Sequence, residues 1–362
     1  MNIKNNNCVY KTVSILIVFL FITACSGIEK KPQETIYYPP LPNSPRIQYL
    51  ATFSTARDMT GKENQFSSFI LGEDVKKDSL ISKPYGVAFY KNKLYVVDIR
   101  GPGYAVFDFN TRKTYTIHGN GAGQIKKPIN IDIDSQGNIY ITDTNKNQVL
   151  QFNQEDRFVR SYGNGSDFKP SDVAAGADKL FVSDLKNQRI HIIDKQSGQI
   201  ISSFGKAGSK DGELLYPTNI ELAADGFLYI SDTGNSRIWK VTQDGTFVKQ
   251  FGKVGSGLGQ FARPKGVAVD KQGRIYVVDA AFENIQVFNS EGKLLLFFGG
   301  KQTAADRLIL PADIEIIDSG FDYFKRYASE GFQIEHLLLV SNQFGANKVH
   351  IYAYGKKSGM DY

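Results

Sequence analysis

The sequence predicts an all-β fold, a six-bladed β-propeller of four-stranded antiparallel blades that is closed by an N-terminal strand completing the last blade. Three observations lead to this prediction. A proline-headed segment recurs six times along the 362 residues, each full copy contains four short strands, and the last copy lacks one strand that is spare near the N-terminus. Copies of about 40 to 50 residues with four strands each are typical of propeller blades.

The composition agrees with strands. Hydrophobic residues make up 41% of the chain, which is enough for a sizeable core, and 25 Phe and 19 Tyr stand against 1 Trp and 3 Met. Aromatic side chains suit a pleated, half-buried surface. Helical periodicity is absent from the repeats, so an all-β class is favoured over a mixed one.

The clearest copy is GLGQFARPKGVAVDKQGRIYVVD, residues 257–279. Its glycines lead into a strand and not into a helix, so they form a turn and not a phosphate-binding loop. An alternating strand follows the proline, a turn of the Asp-Lys-Gln-Gly kind precedes a second strand ending on an aspartate, and two more strands follow. The aligned prolines recur every 42 to 47 residues and are Pro84, Pro128, Pro170, Pro217, Pro264 and Pro311.

The sixth copy indicates how the ring closes. It provides three strands, at residues 314–317, 336–340 and 349–354, whereas the segment RIQYLATFS at 46–54 precedes the first copy without a partner. Sharing one blade between the two ends of the chain protects the edges of the ring. We therefore predict a propeller over residues 46–356, followed by a tail over 357–362.

These repeats resemble those of NHL-repeat proteins. The resemblance rests on residues 257–279, on SDTGNSRI at 231–238 and on the Phe-Gly pairs at 204–205 and 251–252, and it covers nearly all of the chain after the N-terminal segment. It implies the six-bladed fold. Because propellers include hydrolases, lyases, nucleic-acid binders and scaffolds, it implies little about function.

The N-terminal segment is predicted to lie outside the propeller. Residues 1–24 read as a secretory signal peptide whose apolar run is too short to span a bilayer comfortably. They end in Ile-Thr-Ala before Cys25, which resembles the lipobox of bacterial lipoproteins and implies lipidation of Cys25; an uncleaved anchor helix is the alternative. Ser26 implies sorting to the outer membrane of a Gram-negative cell, with the protein facing the periplasm or the surface. Residues 25–45 are proline-rich and are predicted to form a semi-rigid tether.

Two insertions interrupt the repeat. Residues 319–335 carry five aromatic side chains and two cations, which suggests a membrane interface or a partner surface; local packing over the channel mouth or over its own blade is the alternative. Residues 55–82 link the N-terminal strand to the first blade and are predicted to contain a short helix that begins near Asn64. The tether is predicted to join the face that carries the first of these insertions.

In each blade, the loop leading into the first strand and the loop joining the second and third strands lie on one face, which we call the front face; the other turns form the back face. Basic residues gather in the front-face loops and predict a rim that binds a protein or an anionic envelope polymer. A solvated charged rim is the alternative. Nucleic acid is not expected as a partner, because few aromatic side chains that could stack on bases are interleaved with these cations. The predicted rim residues are Lys146, Arg189, Arg237, Lys253, Arg263 and Lys265.

The central channel is predicted to be acidic. Counting from each proline, positions +3 and +5 are apolar and pack between blades, so positions +2 and +4 point into the channel. Oxygen ligands suit Ca²⁺ or Mg²⁺, so a bound calcium ion and a hydrated, metal-free channel are both open. The candidate ligands are Asn130, Asp132, Asp172, Asn219, Glu221, Asp313 and Glu315.

No catalytic motif supports an enzyme. Resemblance to six-bladed peptidyl-hydroxyglycine lyases would imply histidine-bound zinc, but the four histidines lie outside the inner strands. Resemblance to gluconolactonase-type hydrolases would imply calcium held by acidic and amide side chains, which the channel set matches only loosely. The aspartates that end the second strands recur in nearly every blade, so they are interpreted as loop caps.

The sequence therefore favours a lipid-anchored, non-catalytic binding or scaffold module of the cell envelope. A calcium-dependent hydrolase or lyase working in the channel is the alternative function.

Overall fold

The computed structural model describes residues 35–59, 80–163, 165–300 and 303–362. The predicted signal peptide and Cys25 fall outside these residues, as do Asn64 and most of the insertion around it. Within the described ranges, no helix is both long and apolar enough to cross a membrane.

The structure is an all-β propeller of six antiparallel blades, as predicted. Each proline at the head of a repeat begins the innermost strand of a blade, and the strands then follow outward in chain order. The first five blades are β3 Pro84–Tyr90, β4 Lys93–Asp98, β5 Gly103–Asp108 and β6 Lys113–Ile117; β7 Pro128–Ile133, β8 Ile139–Asp143, β9 Gln148–Phe152 and β10 Phe158–Tyr162; β11 Pro170–Ala175, β12 Lys179–Asp184, β13 Arg189–Asp194 and β14 Ile200–Phe204; β15 Pro217–Leu222, β16 Leu228–Asp232, β17 Arg237–Val241 and β18 Phe247–Phe251; β19 Pro264–Val269, β20 Ile275–Asp279, β21 Asn284–Phe288 and β22 Leu294–Gly299.

The sixth blade joins the two ends of the described chain, which confirms the predicted closure. Its strands are β23 Pro311–Ile317, β24 Phe332–Asn342, β25 Val349–Lys357 and β2 Ile47–Phe53. The last two pair antiparallel, with Ile47 opposite Tyr354 and Phe53 opposite Val349. The ring therefore has no open seam between its first and last blades.

Packing between blades holds the ring together. The buried apolar residues form six clusters, and each cluster lies between two neighbouring blades. The +3 residues, such as Val87 and Ile220, are buried in these clusters, as the alternation of the inner strands predicts. The core of a propeller is thus divided among its interfaces, and no single blade buries its own two faces.

An additional strand, β1 Tyr37–Tyr38, lies outside β2, within the segment that the sequence analysis predicted as a tether. Both tyrosines are buried, and the Tyr38 hydroxyl donates a hydrogen bond to Asp306. Because β1 runs antiparallel to β2, Ile36 lies beside Tyr49 at the outer edge of the blade. Residues 36–38 therefore run along the outer edge of the sixth blade.

The aromatic insertion after β23 packs locally. Residues Asp322–Tyr327 form a 3-10 helix in which Phe324 is fully buried. Its ring lies 4.8 Å from that of Phe109 and 5.9 Å from that of Phe53, both edge-on. The insertion therefore packs over the interface between the sixth and first blades. This agrees with local packing, the alternative given above to an exposed membrane or partner surface.

Candidate functional site

The aspartates that end the second strands clamp the front-face loops. Asp143 accepts hydrogen bonds from the backbone N–H groups of Lys126 and Lys127 in one loop and of Asn145 and Lys146 in the next. Asp98, Asp184, Asp232 and Asp279 are likewise buried at the corresponding positions. These carboxylates are structural, because a buried acceptor is what the unpaired N–H groups of two adjoining loops require.

The last blade uses an asparagine for the same purpose. Asn342 accepts a hydrogen bond from the Ile309 N–H, and its amide nitrogen donates to the Phe344 and Asn347 carbonyls. The clamp therefore recurs in all six blades, with an amide in place of the carboxylate in one.

The +2 side chains of the inner strands satisfy backbone groups that face the channel. Asp172 accepts from the N–H of Val173 at 2.8 Å and from that of Ile220, in the next blade, at 2.9 Å. Asp313 accepts from the N–H of Val87 across the closing interface at 3.1 Å. These N–H groups lie on the free edge of an inner strand and have no sheet partner, so the carboxylates join neighbouring blades.

Glycine fills two of the +2 positions because the neighbouring backbone is close. A Cβ atom at Gly266 would lie 2.6 Å from the Asp313 Cα atom, and one at Gly86 would lie 2.7 Å from the Asn130 Cα atom. Such distances are shorter than any ordinary van der Waals contact. The channel is therefore narrow between the fifth and sixth blades and between the first and second.

The +4 side chains Asp132, Glu221 and Glu315 come from alternate blades and line a cavity in the channel. Asp132 accepts from the N–H of Ala175 in the next blade at 2.7 Å. No described group donates a hydrogen bond to Glu221 or Glu315. The cavity volume is about 30 Å³, which is room for about two water molecules.

Burial among other acids keeps these carboxyls from ionising easily. Desolvation raises the pKa of Glu221 to about 8, and Asp132 and Asp313 add to the effect. Desolvation also raises the pKa of Asp313 to about 7 and that of Glu315 well above its usual range. The pKa of Asp172 is likewise raised, first by desolvation and then by Asp313. Much of the acidic set therefore holds protons at neutral pH.

Lys265 and Tyr85 close the channel at the front face, a position that the sequence did not predict for either side chain. Lys265, predicted for the basic rim, is 8% exposed and donates a hydrogen bond at 2.8 Å to the hydroxyl of Tyr85, which is 7% exposed. The Tyr85 hydroxyl lies 3.4 Å from Asn219, whose amide donates to Asp313. Burial lowers the pKa of Lys265 to about 8. Both residues follow directly after the proline of their repeat, at position +1. The alternation along the inner strands was used only to assign positions +2 to +5.

The +4 acids Asp132, Glu221 and Glu315 are partly exposed, whereas the +2 side chains are buried, so the channel opens towards the back face. The predicted set of channel residues is brought together, with Asn219 set back against Tyr85. Among the described residues, however, no group of three or more His, Cys, Asp or Glu side chains is arranged to hold a metal ion. Asp132, Asp172 and Asp313 accept hydrogen bonds from backbone N–H groups, whereas Glu221 and Glu315 accept none from the described residues.

The remaining rim residues divide into two kinds. Lys253 and Arg263 are exposed on the front face. Arg237 is 8% exposed and pairs with Asp232 at 2.7 Å, and Lys146 donates to backbone carbonyls of a neighbouring loop. Arg189 is half-buried. The surface charge of the front face therefore depends on other exposed loop cations: Lys126, Lys127, Lys169, Lys186, Lys210 and Arg307.

Comparison with known sequences supports the fold over part of the chain. A family profile described as "6-bladed beta-propeller" matches residues 216–296. The protein SUPPRESSOR OF QUENCHING 1, chloroplastic, from Arabidopsis thaliana is 25% identical over 212 residues, which are 46% of this chain and 20% of that protein. The chain thus spans a fifth of the length of this curated relative.

Solved structures are similar over most of the chain. Virginiamycin B lyase from Staphylococcus aureus matches with a TM-score of 0.52 and 16% identity, over 75% of this chain and 94% of the lyase. A gluconolactonase from Xanthomonas campestris matches with a TM-score of 0.55 and 13% identity, over 86% and 89% of the two chains. An auxiliary nutrient binding protein from Bacteroides thetaiotaomicron matches with a TM-score of 0.56 and 12% identity, over 75% and 70%.

At these levels of identity the likeness extends to the fold alone. The chain is an all-β, six-bladed propeller with four antiparallel strands per blade and a last blade completed from the N-terminal side.

Proposed function

We propose that this protein is a lipid-anchored, non-catalytic module of the cell envelope that binds a partner protein through its front face. The observation that carries this proposal is the state of the channel. Its front end is closed by Tyr85 and Lys265, and its cavity of about 30 Å³ has no room for an organic substrate. Binding chemistry is then left to the outer surfaces.

The loop between the fourth and fifth blades supports a protein partner. Val254 is 76% exposed and Leu258 is 77% exposed, and they stand between the exposed cations Lys253 and Arg263. Apolar side chains exposed beside cations are typical of the centre and rim of a protein interface. The corresponding loop before the fourth blade carries Ala207 and Asp211 at these two positions, so the apolar pair is not shared by that loop.

An anionic envelope polymer is the alternative ligand of the same face, supported by the exposed lysines alone. The envelope location rests on the resemblance of the Cys25 region to a lipobox. Replacing Cys25 by Ala is expected to move the protein from the detergent phase to the aqueous phase in a phase-separation assay. Continued partition of the variant into detergent would contradict lipidation at this residue.

Site-specific photo-crosslinking in cells tests the binding surface. A photoreactive residue at position 258 is expected to give a discrete adduct, whereas one at the exposed back-face position 155 serves as the matched control. A photoreactive residue at position 256 of the same loop should give the same adduct. Combining it with Leu258→Asp should abolish that adduct. Equal labelling from positions 258 and 155, or none from 258, would overturn a front-face protein interface.

The alternative function, a calcium-dependent hydrolase or lyase, is supported by the unpartnered carboxylates Glu221 and Glu315 at the back-face opening of the channel. Calcium titration followed by calorimetry tests it. Saturable binding that Asp132→Ala and Glu221→Ala both abolish would favour this alternative over the binding module. Absence of calcium binding removes its chemical basis.

A further inference from the structure

A cleft of about 310 Å³ lies on the back face between the second and third blades. It is separate from the channel and from the front-face loops. We propose that this cleft binds a small, neutral, polyhydroxylated ligand of the size of one sugar ring. It is lined chiefly by Asp134, Gln136, Asn138, Gln151, Tyr162 and Lys195.

The cleft is open beside Asn138, which lies five residues before the clamp residue Asp143. In most of the other repeats this position carries a longer side chain. In chain order the residues five before the clamp are Lys93, Asn138, Lys179, Phe227, Arg274 and Leu337.

The fifth blade shows what fills the equivalent space. There Tyr276 donates to Asp270 at 3.0 Å, as Tyr140 donates to Asp134 at 3.1 Å in the second blade. Arg274 then extends over the Tyr354 ring, 4.0 Å from its centroid. The same Asp–Tyr pair therefore underlies both clefts, and only the one without the arginine is open.

The floor of the cleft carries a hydrogen-bond donor that no described group of the protein accepts. Gln151 is 9% exposed, and its Oε1 accepts from the Tyr162 hydroxyl at 2.7 Å. Its Nε2 donates to no group in the described part of the chain, although the side chain lines the cleft. This amide nitrogen is therefore free to donate to an acceptor of a ligand that takes the place of water in the cleft.

The other polar groups restrict the charge of the ligand. Lys195 and Asp134 form a buried ion pair at 2.9 Å, so their charges compensate each other. Desolvation opposes ionisation of Asp134, but hydrogen bonds from Asn138 and Lys195 lower its pKa below the usual value. The exposed carboxylate of Asp178 at the rim disfavours an anion.

Hydroxyl groups of a ligand suit the carboxylate and amide groups that line this cleft, because each hydroxyl can donate to a carboxylate or amide oxygen and accept from an amide nitrogen. Gln136 adds an exposed amide at the rim. The volume is at the lower end of the range for small-molecule sites, about 300–1,000 Å³. A single sugar ring therefore fits better than a chain of sugars.

The test uses the purified full-length protein and ligand-observed saturation-transfer NMR with glucose, galactose and N-acetylglucosamine. At least one sugar should bind, with a dissociation constant of the order of millimolar for a ligand of this size. Asn138→Arg, which copies the fifth blade, should weaken that binding at least tenfold. Asn145→Arg places the same side chain at an exposed front-face asparagine and should leave binding unchanged.

Gln151→Leu provides a second variant that keeps the cleft open. It removes the free donor, while the Tyr162 hydroxyl retains the Lys195 carbonyl as an acceptor at 3.2 Å. It should also weaken binding at least tenfold. The proposal is overturned if no sugar binds, if neither variant weakens binding, or if ethanolamine, a small cation, binds in the cleft in place of the sugars.

Discussion

Replacing Glu221 by Gln should change how the stability of the propeller depends on pH. Desolvation and the neighbouring acids raise the pKa of this carboxyl from its ordinary 4.5 to about 8. The folded protein then holds a proton that the unfolded chain releases above pH 4.5. The stabilising contribution is therefore fully present below that pH and is lost as the pH rises through about 8.

The magnitude follows from the size of the change in pKa. At about 1.36 kcal/mol per pH unit, a rise from 4.5 to about 8 corresponds to at most ~5 kcal/mol. Water reaches this part of the channel, so we expect about half of that, ~2–3 kcal/mol of unfolding free energy between pH 5 and pH 8. Asp313 and Glu315 titrate together with Glu221, so the wild-type loss is larger but is not a sum of separate contributions.

The assay is urea unfolding at pH 5 and pH 8 in the presence of a chelator. The single tryptophan, Trp239, is 2% exposed and reports unfolding by its fluorescence. Wild-type protein should be less stable at pH 8, and Glu221→Gln should reduce the difference by about 2–3 kcal/mol. Glu155→Gln, at an exposed turn, is the matched control and should behave like the wild type.

Equal stability of the wild type at both pH values would refute this account of the channel. So would a pH dependence that Glu221→Gln leaves intact. If the pH dependence of stability is seen with the chelator but not without it, a bound cation holds the carboxylates in their charged form.

Substitutions at three further positions test the packing of the blades and the clamp of the front-face loops. Gly266→Ala places a Cβ atom 2.6 Å from the Asp313 Cα atom and should cost about 1–3 kcal/mol in urea unfolding; a neutral effect would show that the fifth and sixth blades can move apart. Asp279→Ala leaves four backbone N–H groups without their acceptor and should cost about 3 kcal/mol, whereas Asp279→Asn should cost less, since Asn342 serves as the clamp in the last blade. Equal losses for the two variants would contradict that reasoning. Phe324→Ala should cost about 3–5 kcal/mol and leave association with lipid vesicles unchanged, whereas weaker vesicle binding at unaltered stability would indicate a membrane-facing ring.

The ring itself could be predicted because its determinants are periodic. Prolines spaced 42 to 47 residues apart, turn glycines and strand-ending aspartates recur in phase, and each reflects a local requirement that the blades share. The assignment of β2 to the last blade followed from counting strands, because the sixth repeat has only three and one strand before the first repeat has no partner. β1 did not, because two tyrosines before a proline-rich segment carry no periodic signal, and only the surface of the completed blade gives them a partner.

The same distinction applies to the channel. Alternation along the inner strands identified Asp132, Glu221 and Glu315 as facing the axis. It could not indicate which carboxylates accept hydrogen bonds from a neighbouring blade, since that depends on the distance between strands far apart in sequence. The contact of Lys265 with Tyr85 spans 180 residues and an intervening blade, so no local pattern predicts it.

Closure by the N-terminal strand also affects the order of folding. Arg46 and Tyr354, which bond across the completed blade, are 308 residues apart, whereas the other blades are built from contiguous segments. Loop-closure entropy makes such a distant pairing slow relative to hairpin formation. During synthesis β2 therefore waits for nearly the whole chain before the edge that pairs with β25 finds its partner. Folding of the ring should end with this docking step, and the species before it, an open arc with free edges, is the one most exposed to aggregation.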